Sequence, residues 1–128
     1  MLPKDIQDAL KRTDIVWVGD EQPFAAWFAF SDERIYLLSQ REPGPEEQTL
    51  PPLGAVTSVV TRRKGRETAG PGFRATVRML EPGPEWEAAA AKLVDRRRSR
   101  VGPPADSIER WRTACDIAEL TPEIEAGV

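Results

Sequence analysis

Between Phe73 and Met79 apolar and polar residues alternate without a break, with Phe73, Ala75, Val77 and Met79 on one side and Arg74, Thr76 and Arg78 on the other. Only an extended chain puts every second side chain on one face, so this segment predicts a strand whose first set points into a core and whose second set points to water or to a ligand. Other runs rich in β-formers accompany it: Ile15 to Val18, Phe24 to Phe30, Arg34 to Ser39, Ala55 to Thr61 and Cys115 to Leu120. In the second of these, Phe24, Ala26, Phe28 and Phe30 share one face while Ala25, Trp27 and Ala29 share the other, which predicts a strand covered on both sides. Gly-Asp-Glu-Gln-Pro and Ser31-Asp32-Glu33 separate the first three runs as hairpin turns, so a meander is expected there.

Helical spacing occurs where the strands do not. Leu2, Ile6, Ala9 and Leu10 predict a short helix over Pro3 to Thr13 that caps a barrel. Gly83-Pro84 opens a second helix, Glu85 to about Arg98, with Trp86, Ala89, Ala90, Leu93 and Val94 as its core-facing stripe. Its ends suit the helix dipole, with Glu85 and Glu87 in the first turn and Arg96, Arg97 and Arg98 in the last. Ser99 to Asp106 reads as a connection, Ile108 to Arg112 as a short helix, and Thr121 to Val128 as a frayed terminus. The expected fold class is therefore α+β and mainly β, a barrel of about six mostly antiparallel strands with two or three peripheral helices.

A length of 128 residues fits one domain spanning residues 1–128, and 40% hydrophobic residues with four tryptophans can fill its core. The apolar run Phe24 to Phe30 is far shorter than the roughly 20 residues of a bilayer helix, and Met-Leu-Pro-Lys-Asp does not resemble a signal peptide, so no membrane partner and a cytoplasmic location are expected. A net charge of −3 and an isoelectric point near 5.1 argue against a nucleic-acid partner, which usually demands a positive excess.

Cys115 is the only cysteine and histidine is absent. Intrachain disulfides, Ser-His-Asp and Cys-His centres, histidine-ligated haem and paired-cysteine zinc sites are thereby excluded. Three features remain that can carry chemistry. Thr61-Arg62-Arg63-Lys64-Gly65-Arg66 can cradle an anion, since guanidinium forks match phosphate oxygens, and it reads equally as a solvated charged turn. The proline-rich loop Gln40 to Gly54 holds Gln48 and Thr49 as directional hydrogen-bonding groups, allows one helical turn near Glu46 to Leu50, and is also compatible with a rigid connector. Arg96-Arg97-Arg98-Ser99-Arg100 sits where a helix C-terminus favours cations in any case.

Taken in order, Glu47-Gln48-Thr49-Leu50-Pro51-Pro52-Leu53, Arg62-Arg63-Lys64, Phe73-Arg74-Ala75-Thr76-Val77, Glu81-Pro82-Gly83-Pro84-Glu85-Trp86-Glu87, Arg110-Trp111-Arg112 and Leu120-Thr121-Pro122 resemble a small bacterial branch of the pyridoxamine 5'-phosphate oxidase-like flavin split-barrel family. The resemblance spans roughly Phe24 to Pro122. It implies a split barrel that forms a homodimer, with FMN or a deazaflavin in a groove between subunits and a small-molecule substrate against the exposed cofactor face. By the same resemblance Arg62 and Lys64 clamp the cofactor phosphate, Ser39 and Arg41 at the end of their strand approach it, and Arg63 stands where relatives carry a serine. Hydride transfer by the cofactor requires no imidazole on the protein, and Tyr36, the sole tyrosine, or water can supply a proton. The departures from the family pattern leave a second reading open, a ligand-binding or structural dimer that kept the barrel and lost catalysis.

Overall fold

The structure, a computed structural model, describes residues 2–13, 15–40, 50–51, 54–62, 69–101 and 104–123. Its elements run α1 (Lys4–Arg12), β1 (Ile15–Val18), β2 (Phe24–Trp27), β3 (Ala29–Ser31), β4 (Arg34–Gln40), β5 (Val56–Arg62), β6 (Ala69–Met79), α2 (Pro84–Val101), α3 (Pro104–Ala114) and β7 (Cys115–Pro122). The strands form one antiparallel sheet in the order β2-β1-β5-β6-β7-β4-β3, curled into a nearly closed split barrel.

The two edges of this sheet are consecutive in sequence. The run Phe24 to Phe30, expected as one strand, breaks at Phe28, so that its first half pairs with β1 and its second half with β4. The expected meander is thus carried by a single bent segment that closes the barrel. The alternation nonetheless survives the bend: Phe24, Ala26, Phe28 and Phe30 pack in the barrel interior, and Trp27 and Ala29 pack outside it beneath helices. Ala25 is exposed, so the two-sided cover expected for this run holds only over its second half.

Inside the barrel, Val16, Val18, Ile35, Leu37, Val59, Ala75, Val77, Ala118 and Leu120 come from five strands. Helix α1 caps this core as expected, adding Leu2, Ile6 and Leu10. The turn Asp32-Glu33, with φ of 51° and 62°, has the two left-handed residues of a tight hairpin. The Glu33 Oε1 accepts the Leu2 backbone N–H at 2.8 Å, which ties the start of α1 to that turn.

A second apolar layer lies outside the sheet. The predicted stripe of Trp86, Ala89, Ala90, Leu93 and Val94 is buried in full, together with Leu38, Ile117, Cys115 and Trp111. Burying each large aliphatic side chain contributes about 1.5–3 kcal/mol. Arg96 donates to the Thr13 carbonyl at 2.7 Å and its guanidinium lies 5.3 Å from the Phe28 ring centre, so α2 also clamps the bend where the barrel closes.

Several elements run longer than expected. Strand β6 starts at Ala69 because Gly70-Pro71-Gly72, a turn by composition, lies inside a bulge, where the partner of Arg62 is Ala69 and that of Val60 is Gly72. One residue of β5, Thr61, thus faces two of β6, Gly70 and Pro71, a place where a proline lacking its N–H is tolerated. A side chain at Gly72 would come within 2.9 Å of the Val59 carbonyl, so the close strand approach requires glycine there. Helix α2 reaches Val101 and α3 begins at Pro104, a residue suited to a first helical position, so the expected Ser99 to Asp106 connection is mostly helix. Thr121 and Pro122 extend β7 along β6 rather than fraying. The helical turn expected near Glu46 to Leu50 falls on residues 46–49, outside the described residues.

Candidate functional site

Of the residues singled out in the sequence, Ser39 and Arg62 lie among the described residues, whereas Arg41, Gln48, Arg63 and Lys64 do not. Ser39 is half-buried near the end of β4, opposite Asp116 of β7. Arg62 is the last residue of β5, opposite Ala69. Along the β5-β6-β7-β4 ladder they stand at opposite ends of β6, because Arg62 is level with its first residue and Ser39 lies beyond the level of Met79. The ladder therefore does not bring Ser39 and Arg62 of one chain together.

What the sheet does bring together was not legible beforehand. On the outer face, cross-strand neighbours place Tyr36 of β4 beside Glu119 of β7, and Glu119 beside Arg78 of β6. Glu119 is only 5% exposed and accepts from Arg78 at 2.9 Å, while Arg78 also reaches Glu85 at the start of α2 at 2.6 Å. The two carboxylates, Glu85 first, hold the Arg78 guanidinium more firmly protonated. Burial, reinforced by Glu119, raises the Tyr36 phenol above its ordinary value, so at neutral pH it is a proton donor and not a phenolate. An open cleft of about 510 Å³ lies beside this row, lined by residues 78–85.

A second polar group stands on the opposite half of the sheet. Ser58 of β5 donates to the Asp20 carboxylate at 2.7 Å, and Arg74 of β6 donates both to Asp20 and, at 2.8 Å, to the Ser58 hydroxyl. The Ser58 hydrogen bond and the adjacent Arg74 hold the Asp20 carboxyl below the ordinary carboxylate range. Asp20 sits on the β1–β2 turn at the rim of a cavity of about 420 Å³, whose wall includes Phe24, Leu50, Pro51, Val56 and Thr57. The turn geometry depends on Gly19, whose φ of 124° and proximity to Pro23 leave no room for a side chain. Neither Arg78 nor Arg74 is open for a new anion, since each is already bound to carboxylate.

Among the described residues no group of three His, Cys, Asp or Glu side chains could hold a metal ion, and no helix is long and apolar enough to cross a membrane. No protein-family model matches the sequence, and no curated protein is detectably similar to it. Solved structures are similar in fold. The haem storage protein HutZ from Vibrio cholerae matches 97% of this chain and 92% of its own at 16% identity and a TM-score of 0.61. An FAD-binding protein from Mesorhizobium loti matches 97% of this chain and 90% of its own at 14% identity and a TM-score of 0.60. A candidate pyridoxamine 5'-phosphate oxidase from Listeria innocua matches 93% and 91% at 12% identity and a TM-score of 0.57. Together with the strand order, these likenesses show that the chain shares the split-barrel fold of these proteins.

Proposed function

We propose that this chain is a flavin- or deazaflavin-dependent oxidoreductase that forms a homodimer. The cofactor lies in a groove between the two copies and its phosphate rests on Arg62, Arg63 and Lys64 of one copy, with Ser39, Arg41 and Gln48 joining from the second copy, since Ser39 and Arg62 stand at opposite ends of the ladder within one chain. A small-molecule substrate meets the exposed ring. The observation that carries this reading is a barrel matching an FAD-binding protein over 97% of the chain, in a sequence that places a basic cluster where β5 ends.

The donor set fits the group chemically. Guanidinium forks, one ammonium, one hydroxyl and one carboxamide are all hydrogen-bond donors suited to phosphate oxygens. When bound, the cofactor supplies hydride transfer, and the chain orients it and surrounds its anionic end with positive charge. HutZ is a haem storage protein, but this sequence contains no histidine and so offers no imidazole to an iron, which favours flavin over haem here. Arg63 in place of the serine usual in the resembling family favours the second reading, a barrel that binds a ligand without catalysis.

Titration of the purified protein with FMN and, separately, with a deazaflavin tests the proposal through the visible absorption and quenching of flavin fluorescence. Saturable binding is expected, weakened about 10–100-fold by Arg62→Ala combined with Lys64→Ala, the loss of charge-assisted hydrogen bonds. A spectrum unchanged by either cofactor would exclude the oxidoreductase and leave the inert barrel.

A further inference from the structure

Helix α1 is too short to hold itself together. Its nine residues fall below the roughly 12–15 at which an isolated helix becomes even marginal, and its N-cap, Pro3, offers no side-chain acceptor to the free N–H groups of the first turn. Nor does it belong to the sheet. It packs on β5 and β6 through one face, with Ile6 and Leu10, preceded by Leu2, joining the barrel-interior core.

Two other elements supply what the helix lacks, one at each end. Just ahead of the first turn, the Glu33 carboxylate accepts from the Leu2 backbone N–H at 2.8 Å and from Gln7 Nε2 at 3.4 Å. At the last turn, Arg96 of α2 donates to the carbonyl of the C-cap residue Thr13 at 2.7 Å, and its guanidinium lies 5.3 Å from the centre of the Phe28 ring. An anion at the N-terminus and a cation at the C-terminus both suit the helix dipole. Both also arrive at the segment that closes the barrel, since Glu33 sits in the turn after β3 and Arg96 lies over the bend between β2 and β3. The two polar ties of α1 therefore depend on the seam being closed.

We propose that α1 is a conditional cap, helical only while docked on the closed barrel, which undocks and unfolds as one unit and uncovers the barrel end while the seven-stranded sheet stays folded.

Hydrogen exchange of the full chain, read by mass spectrometry without added cofactor, tests this independently of the flavin reading. After correction for intrinsic rates, the α1 amides are expected to exchange together, at least about 10-fold faster than those of β6 and β7. Glu33→Gln and Arg96→Met keep most of the side-chain shape, and each should speed exchange along the whole of α1 by about 3–10-fold, the loss of one strong hydrogen bond. Protection of β6 and β7 should be unchanged in both variants, which also shows that the sheet has folded. The proposal is overturned if α1 exchanges no faster than β6, or if either variant speeds β6 and β7 as much as α1, because α1 and the sheet then open as one. It is overturned equally if each variant speeds only its own end of α1, since the helix then frays and does not undock as a unit.

Discussion

The two halves of the barrel wall solve the same problem differently. Over β7, β4 and β3 the sheet is buried on both faces, because α2 and α3 lay Trp86, Leu93, Val94 and Trp111 against Ala29, Leu38 and Ile117. Over β2, β1 and β5 no described helix covers the outer face, and the one exposed large hydrophobic among the described residues, Trp17 at 39%, stands there beside the Asp20, Ser58 and Arg74 group. The covered half reads in sequence as unbroken apolar runs such as Leu37-Leu38 and Ile117-Ala118. The bare half is apolar in sequence too, in Ile15 to Val18 and Phe24 to Trp27, and alternates only in burial, with Val16 and Val18 buried and Trp17 exposed. An apolar run therefore permits cover on both faces without guaranteeing it, and the helices decide which runs receive it.

Substitutions sharpen this contrast, beginning with the covered half. Leu93→Ala empties a fully buried position between α2 and the sheet, and denaturant melts should show a loss of about 2–5 kcal/mol. Glu119→Gln keeps the shape but withdraws the charge that Arg78 and Tyr36 meet, with an expected loss of about 1.5 kcal/mol by the same measurement. Trp17→Ser, on the bare half, should cost less than about 1 kcal/mol. A larger loss that grows on dilution would break the comparison, because it would mean that a second chain covers this half.

The smallest effect is expected at Asp20, whose side chain is about half exposed, 47%, so that water screens its partners. Its folded pKa lies below the ordinary 3.8, so the folded state prefers the ionised form. That contribution is fully present above the unfolded pKa and is lost as the pH falls through the folded value. Asp20→Asn should thus lower the thermal midpoint slightly at neutral pH, and the gap from the parent protein should close as the pH drops below 3.8. A gap that widens in acid would show that Ser58 and Arg74 do not stabilise the carboxylate.

Particular residues show why parts of the molecule were legible and others were not. The β6 alternation and the α2 stripe appeared as read, since each follows from the local period of the backbone. The bend at Phe28 escaped notice because the apolar pattern runs through it undisturbed; only the change of partner from β1 to β4 reveals it. The row Tyr36, Glu119 and Arg78 joins residues from three strands and has no signature within any one of them. The candidate clamp is the reverse case, where Arg62, Arg63 and Lys64 are contiguous and announce themselves as charge.

The sequence by itself determined where most strands and helices lie, which of their faces are apolar, and that these residues include no imidazole. These are properties of neighbours in the chain, fixed by backbone period and side-chain type. Tertiary structure alone decided strand order, the closure of the barrel through one bent segment, and the pairing of charges across β4, β7 and β6. Those depend on register between segments far apart in sequence, where a shift of one residue would turn each of these side chains to the other face.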